Sequence, residues 1–120
     1  MAAGHPALCG RVYALQDGWT FSTAADVSTV AHHNGFATLV GEQSGGGYDG
    51  NTGGVSERMT LPASGLLVGV PQWMYTTANV GHDLHGRGAV PDAHVRPTVD
   101  DVLTGRDAEL VAVVALIESR

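Results

Sequence analysis

Apolar and polar positions fall in short blocks along this chain, and the blocks switch between strand and helix spacing. Arg11 to Gln16 (RVYALQ) is a β-prone run between Gly10 and Asp17-Gly18, and it predicts a buried strand closed by a turn. In the stretch TAADVSTVAHH, Ala24, Val27, Val30 and Ala31 recur at helical spacing, and Asn34-Gly35 supplies a helix stop. Ala37 to Val40 (ATLV) predicts a second short strand. Arg58 to Leu61 and Leu66 to Tyr75 predict two paired strands around the turn Pro62-Ala63-Ser64-Gly65. Thr76 to Gly88 is polar and irregular, and Val90 to Val95 is an extended piece held by Pro91. Thr98 and Asp101 have the spacing of a capping box, which opens a short helix ended by Gly105. Asp107 caps a last helix. Its apolar set (Leu110, Val111, Val113, Val114, Leu116, Ile117) covers more than one face, as in a helix that is buried or docked. The alternation of strands and helices predicts α/β layers.

Between Gly41 and Gly54 lie seven glycines, at 41, 45, 46, 47, 50, 53 and 54. By composition this is either a plain surface connection or a loop approached closely by other backbone. The first strand, the turn and the first helix leave Ser22 at a strand-to-helix junction. There a hydroxyl lies near free backbone N–H groups and the positive end of the helix dipole, donors that can hold the negative oxygen formed in acyl transfer. The same position suits an ordinary N-cap serine, and the pattern leaves both open.

The 120 residues suit one domain, which would bury roughly two thirds of its unfolded surface. Charged residues are 15%, below the usual ~25%. So low a charge suggests surface covered by further chain or by a second copy. Net charge is −6, with no basic cluster to follow phosphates, which argues against nucleic-acid binding. Every basic residue is arginine; the chain has no lysine. A single cysteine, Cys9, allows no internal disulfide. The longest apolar run, between Glu109 and Glu118, is too short to span a bilayer. The opening MAAGHPALCG has no recognisable signal peptide, so the compartment stays open, and residues 1–9 are expected to be a disordered lead-in.

The stretch GRVYALQDGWTFSTAADVSTVAHHNGFATLVGEQSGGG resembles the tail-specific (C-terminal processing) serine protease family. Members carry a strand, a Thr-x-Ser-type turn with the nucleophile, a helix, and a strand ending in Val-Gly-Glu. Here those pieces are Arg11 to Leu15, Thr20-Phe21-Ser22, the following helix, and Val40-Gly41-Glu42. LPASGLLVGVPQWMYTT resembles the family's strand pair, and GRGAVPDAHVRPTVDDVLTGRDAELVAVVALI its Gly-x-x-Pro-Asp segment and closing helices. The Thr-Phe-Ser turn and glycine-rich loop are most similar to the tricorn-core and retinoid-binding-protein-like branch.

The resemblance implies a partial β-β-α superhelix of the crotonase/Clp-protease type, with residues 10–120 as the C-terminal half of the catalytic domain. It implies that Ser22 attacks a peptide carbonyl and forms an acyl-enzyme, with the Thr23 N–H in the oxyanion hole. It implies no cofactor and no metal. Peptide or protein is the implied substrate, and the missing N-terminal half or a partner chain would complete the site; an oligomer is possible.

The chain departs from the family's pattern at the base. The bacterial members use a lysine, and ungapped alignment puts that position at Gly47, 25 residues beyond Ser22. The tricorn-like branch uses a histidine from an earlier part of the domain, with a later glutamate. The matching position for that glutamate is His85, either a substituted base or a surface residue. Glu42 matches the glutamate after Val-Gly, with hydrogen bonding to loop backbone as its expected role and a catalytic part left open. His32 and His33 point to different sides of a helix and read as solvent-facing. His82, Asp83 and His85 are too loosely spaced to define a metal site. A catalytically silent apolar-ligand-binding or interaction module of the same family is the alternative. A crotonase-like acyl-transfer enzyme is a weaker one, since this acidic, lysine-free chain shows no coenzyme A site.

Overall fold

The computed structural model describes residues 10–77 and 86–119. The first strand, β1 (Tyr13–Gln16), runs into the helix α1 (Thr23–His33), which returns the chain to β2 (Thr38–Gly41). The strands β1 and β2 are parallel, pairing Tyr13 with Thr38 through Gln16 with Gly41. Parallel neighbours need a crossover of this kind, and α1 supplies it. A third parallel strand, β7 (Ala93–His94), joins on the other side of β2, giving the order β1-β2-β7.

Two antiparallel pairs lie between β2 and β7 in sequence. The strand β4 (Ser56–Thr60) pairs with β5 (Leu67–Pro71) around the expected Pro62–Gly65 turn. The predicted strand Leu66 to Tyr75 is not continuous, however. It ends at Pro71, and Met74–Thr76 forms a separate strand, β6, paired with β3 (Gly50–Thr52). The glycine-rich segment thus contributes a strand of its own. Two helices close the chain, α2 (Val99–Thr104) and α3 (Ala108–Glu118). Both N-caps are the expected ones. Thr98 accepts from the Asp101 amide in a full capping box, and Asp107 accepts from the Leu110 amide. Gly105 ends α2 in the left-handed conformation.

The core is thin: Leu39, Tyr48 and Ala89 cluster with Ala14 packed against them. The final helix is docked rather than buried: α3 packs on β1 and β2 with Val113 inside, while Leu110, Val111, Val114 and Ile117 stay exposed. The first strand is also less buried than its pattern suggested, with Leu15 exposed and Gln16 inside. Gln16 is only 3% exposed and works as a polar clasp: its amide Nε2 donates to the carbonyls of Glu42 (3.0 Å) and Ala89 (2.8 Å). The apolar stripe of α1 faces outward. Val27 and Val30 are exposed, while Ala25, Ser28 and Thr29 are buried. The radius of gyration is 18.5 Å, against about 14 Å for a compact domain of this length, in keeping with so much uncovered apolar surface.

Candidate active site

Asp17 to Thr20 builds the turn that delivers Ser22. The Trp19 amide donates to Asp17 Oδ1 (2.9 Å), the Asp17 amide to Thr20 Oγ1 (3.0 Å), and the Thr20 amide to the Asp17 carbonyl (3.0 Å). Ser22 follows at the N-cap position of α1 with φ 52° and ψ −130°. Among the described residues it is the one non-glycine residue with positive φ. That region costs an L-residue on the order of 1–3 kcal/mol and persists only where the surroundings hold it. An N-cap serine normally has β-region backbone and a side chain bonded to the second or third helical amide. The Ser22 hydroxyl makes no such bond and is exposed. Its strained backbone therefore does not serve capping. The Thr23 amide, first in the helix, has no intrahelical acceptor, and no backbone bond among the described residues occupies it.

The glycine-rich loop is packed, not a plain surface connection. The Gly46 amide donates to the Thr20 carbonyl at 2.9 Å. A Cβ on Gly46 would stand 2.6 Å from Ala25 Cβ and 3.1 Å from the Ser22 nitrogen. The loop is thus the wall behind the serine turn, and it explains why α1 turns its small face inward: larger side chains at 25 would force wall and helix apart. Ser44 fastens the loop's other side. Its Oγ donates to the Gly46 carbonyl (3.0 Å) and accepts the Ala89 amide (2.7 Å).

The other expected residues fall out as follows. Among the described residues the Glu42 side chain meets Arg96, Oε1 to Nε at 3.3 Å, and not loop backbone; it is the main chain of Glu42 that engages Gln16. Gly47 forms a β-bridge with Gly88, and a Cβ there would fall 2.3 Å from the Gly50 carbonyl oxygen. His85, with His82 and Asp83, lies outside the described residues. His32 is not a free surface residue. Its Nε2 meets Asp92 Oδ1 at 3.1 Å, while Asp92 Oδ2 accepts the Leu39 amide at 2.7 Å. Asp92 thereby ties α1 to the central strand. His33 is exposed, as expected.

A group the sequence reading missed is Asp26, in the first turn of α1. Its amide donates to the Ser22 carbonyl at 3.0 Å. Its carboxylate accepts the Tyr75 hydroxyl at Oδ2 and the Thr77 hydroxyl at Oδ1 (3.2 Å). Asn51 Nδ2 donates to the Tyr75 oxygen at 2.7 Å, and Asn51 and Tyr75 face each other across the β3–β6 pair. The hydrogen bond to Asp26 raises the Tyr75 phenol above its ordinary value, with desolvation and the carboxylate's charge acting the same way and Asn51 opposing. Asp26 and Tyr75 are 49 residues apart, and no local pattern links them.

An exposed hydroxyl on a strained strand-to-helix turn, beside an unoccupied helix-start amide, is chemically suited to acyl transfer. The comparison with protein families agrees with that class: the model for peptidase family S41 matches residues 3–95, and the chain belongs to that family. A comparison with curated proteins found no match.

Proposed function

We propose that this chain carries the nucleophile of a serine-type endopeptidase of the tail-specific branch, in the C-terminal half of a β-β-α catalytic domain. The single observation that supports it most is Ser22: strained, uncapped and exposed, inside a stretch that belongs to peptidase family S41. Ser22 Oγ attacks the carbonyl carbon of the scissile peptide bond as a base takes its proton. The oxyanion accepts the Thr23 N–H. Collapse of the intermediate expels the amine, which takes up the proton, and water then hydrolyses the acyl-enzyme. No side chain among the described residues hydrogen-bonds the Ser22 hydroxyl. The chain contains no lysine, so a Ser-Lys dyad cannot form within it; the candidate bases are His85, Glu42 or a group supplied by a partner or further chain.

The test is a fluorophosphonate probe applied to the purified chain and to any longer natural form that contains it. Labelling that disappears in Ser22→Ala is the expected result. Absence of Ser22-dependent labelling in every form rejects the reading.

A second reading, a catalytically silent module that binds an apolar ligand, is favoured by one feature. A cleft of about 370 Å³ is lined by Gly53, Gly54, Val55, Trp73, Met74 and Tyr75, and Trp73 is 67% exposed. On that reading an apolar ligand changes Trp73 fluorescence and protects the fold against heat, and Ser22→Ala alters neither. Peptide cleavage lost in Ser22→Ala removes it.

A further inference from the structure

The strained backbone of Ser22 must be held from both sides. On the N-terminal side the Asp17–Thr20 turn and the Gly46 amide fix Thr20. On the helix side, Ala25 packs against Gly46, and the first side chain described to hydrogen-bond outside the helix is that of Asp26. Its main chain reaches back to the Ser22 carbonyl, and its side chain reaches across to β6 and the residue after it. The carboxylate uses both oxygens, one for each hydroxyl, so its orientation is fixed in two directions. Asn51 fixes the Tyr75 hydroxyl in turn, from the neighbouring strand of the same pair. The Thr77 amide donates to the Asp49 carbonyl at 2.8 Å, which anchors the far end of the clamp to the strand segment that follows the glycine wall. Helix start and strand pair thus meet at one carboxylate four residues beyond the serine.

We propose that Asp26 is a positioning residue for the Ser22 nucleophile, acting through the clamp Asp26–Tyr75–Thr77 that sets the first turn of α1 against the β3–β6 pair. The inference rests on the peptidase reading. Asp26 does not touch the reacting atoms. It fixes where the helix starts, and hence where the Ser22 oxygen and the Thr23 amide stand relative to a bound carbonyl. A displacement near 1 Å in such a geometry costs up to about a hundredfold in rate. Asparagine at 26 keeps the shape but removes the charge that both hydroxyls point at, and phenylalanine at 75 removes one donor while keeping the ring.

The experiment is the saturation kinetics of fluorophosphonate labelling, on the longest natural form that labels, for the parent, Asp26→Asn, Asp26→Glu and Tyr75→Phe. Maximal rate and half-saturating probe concentration are read separately, beside the melting temperature. The expected result is a maximal rate lowered roughly ten- to a hundredfold in Asp26→Asn and Tyr75→Phe. Half-saturation should stay near the parent's, and Asp26→Glu should recover part of the rate. Parent-like maximal rates in Asp26→Asn and Tyr75→Phe overturn the inference and leave the peptidase reading standing. So does a loss that appears only as the melting temperature approaches the assay temperature, for that is a structural brace and nothing more. Should Asp26→Asn fail to fold, Tyr75→Phe decides; failure of both to fold assigns the clamp to stability alone and overturns the inference. A parent whose labelling does not depend on Ser22 in any form sinks the peptidase reading itself, and this inference with it.

Discussion

Gly46 lies against the backbone of Ser22: a Cβ at 46 would stand 3.1 Å from the Ser22 nitrogen and 2.6 Å from Ala25 Cβ. The contact leaves no room for a methyl group between the loop and the first turn of the helix. Gly46→Ala is therefore expected to destabilise the fold by roughly 1–3 kcal/mol, as overpacking does. Chemical denaturation measures it, and an alanine variant as stable as the parent would show that the wall is not tight.

Ser22 bears a conformation that glycine adopts without strain. Ser22→Gly is expected to raise stability, by about 1 kcal/mol or less after the added flexibility of the unfolded chain is subtracted. The same substitution abolishes fluorophosphonate labelling on the proposed reading. A stability loss in Ser22→Gly by urea denaturation would mean that the hydroxyl makes a contact that outweighs the backbone strain.

Asp101 sets an acid limit on α2. The side chain and amide of Thr98, and the Arg106 guanidinium, push its carboxyl down to about 2 from 3.8. A group whose folded value is depressed stabilises above its unfolded value and loses that contribution as pH falls through the folded one. The stabilisation is thus complete above about pH 4 and disappears towards pH 2. Urea midpoints measured across that range should fall more steeply for the parent than for Asp101→Asn. Parallel curves would remove Asp101 from the account of acid stability.

Tyr75 sets the opposite limit. Its phenol is raised above 10.0, chiefly by donating to Asp26. That contribution is present below the unfolded value and is lost as pH rises through the folded one. Asp26→Asn is expected to lower the Tyr75 midpoint, followed by NMR of ring-labelled tyrosine. An unmoved midpoint would break the clamp on which the positioning role depends.

Position 47 does not readily accept a lysine. A Cβ at Gly47 would lie 2.3 Å from the Gly50 carbonyl oxygen, a backbone atom that cannot swing aside. Gly47→Lys is expected to lower the melting temperature without creating Ser22-dependent peptide cleavage. Cleavage gained in a stably folded Gly47→Lys variant would contradict the loop path described above.

The residues themselves determined what local physics decides. The Thr98–Asp101 capping box, the Asp107 cap, the left-handed Gly105 and the placement of Ser22 at a strand-to-helix junction each depend on neighbours within a few positions, and each was readable from the chain. Only the tertiary structure decided which face of α1 is buried. Val27 and Val30 carry the hydrophobic pattern, yet the buried residues are Ala25, Ser28 and Thr29, with Ala25 set close against Gly46. It likewise broke the strand expected from Leu66 to Tyr75, because pairing with Gly50–Thr52 draws Met74–Thr76 away from the hairpin. The partners of Glu42, His32 and Asp26 were equally hidden: each lies 49 or more residues away, where no periodicity in the chain can point. Spacing can put a hydroxyl at the start of a helix; only contacts between distant segments can hold it there in a backbone conformation that it would not adopt alone.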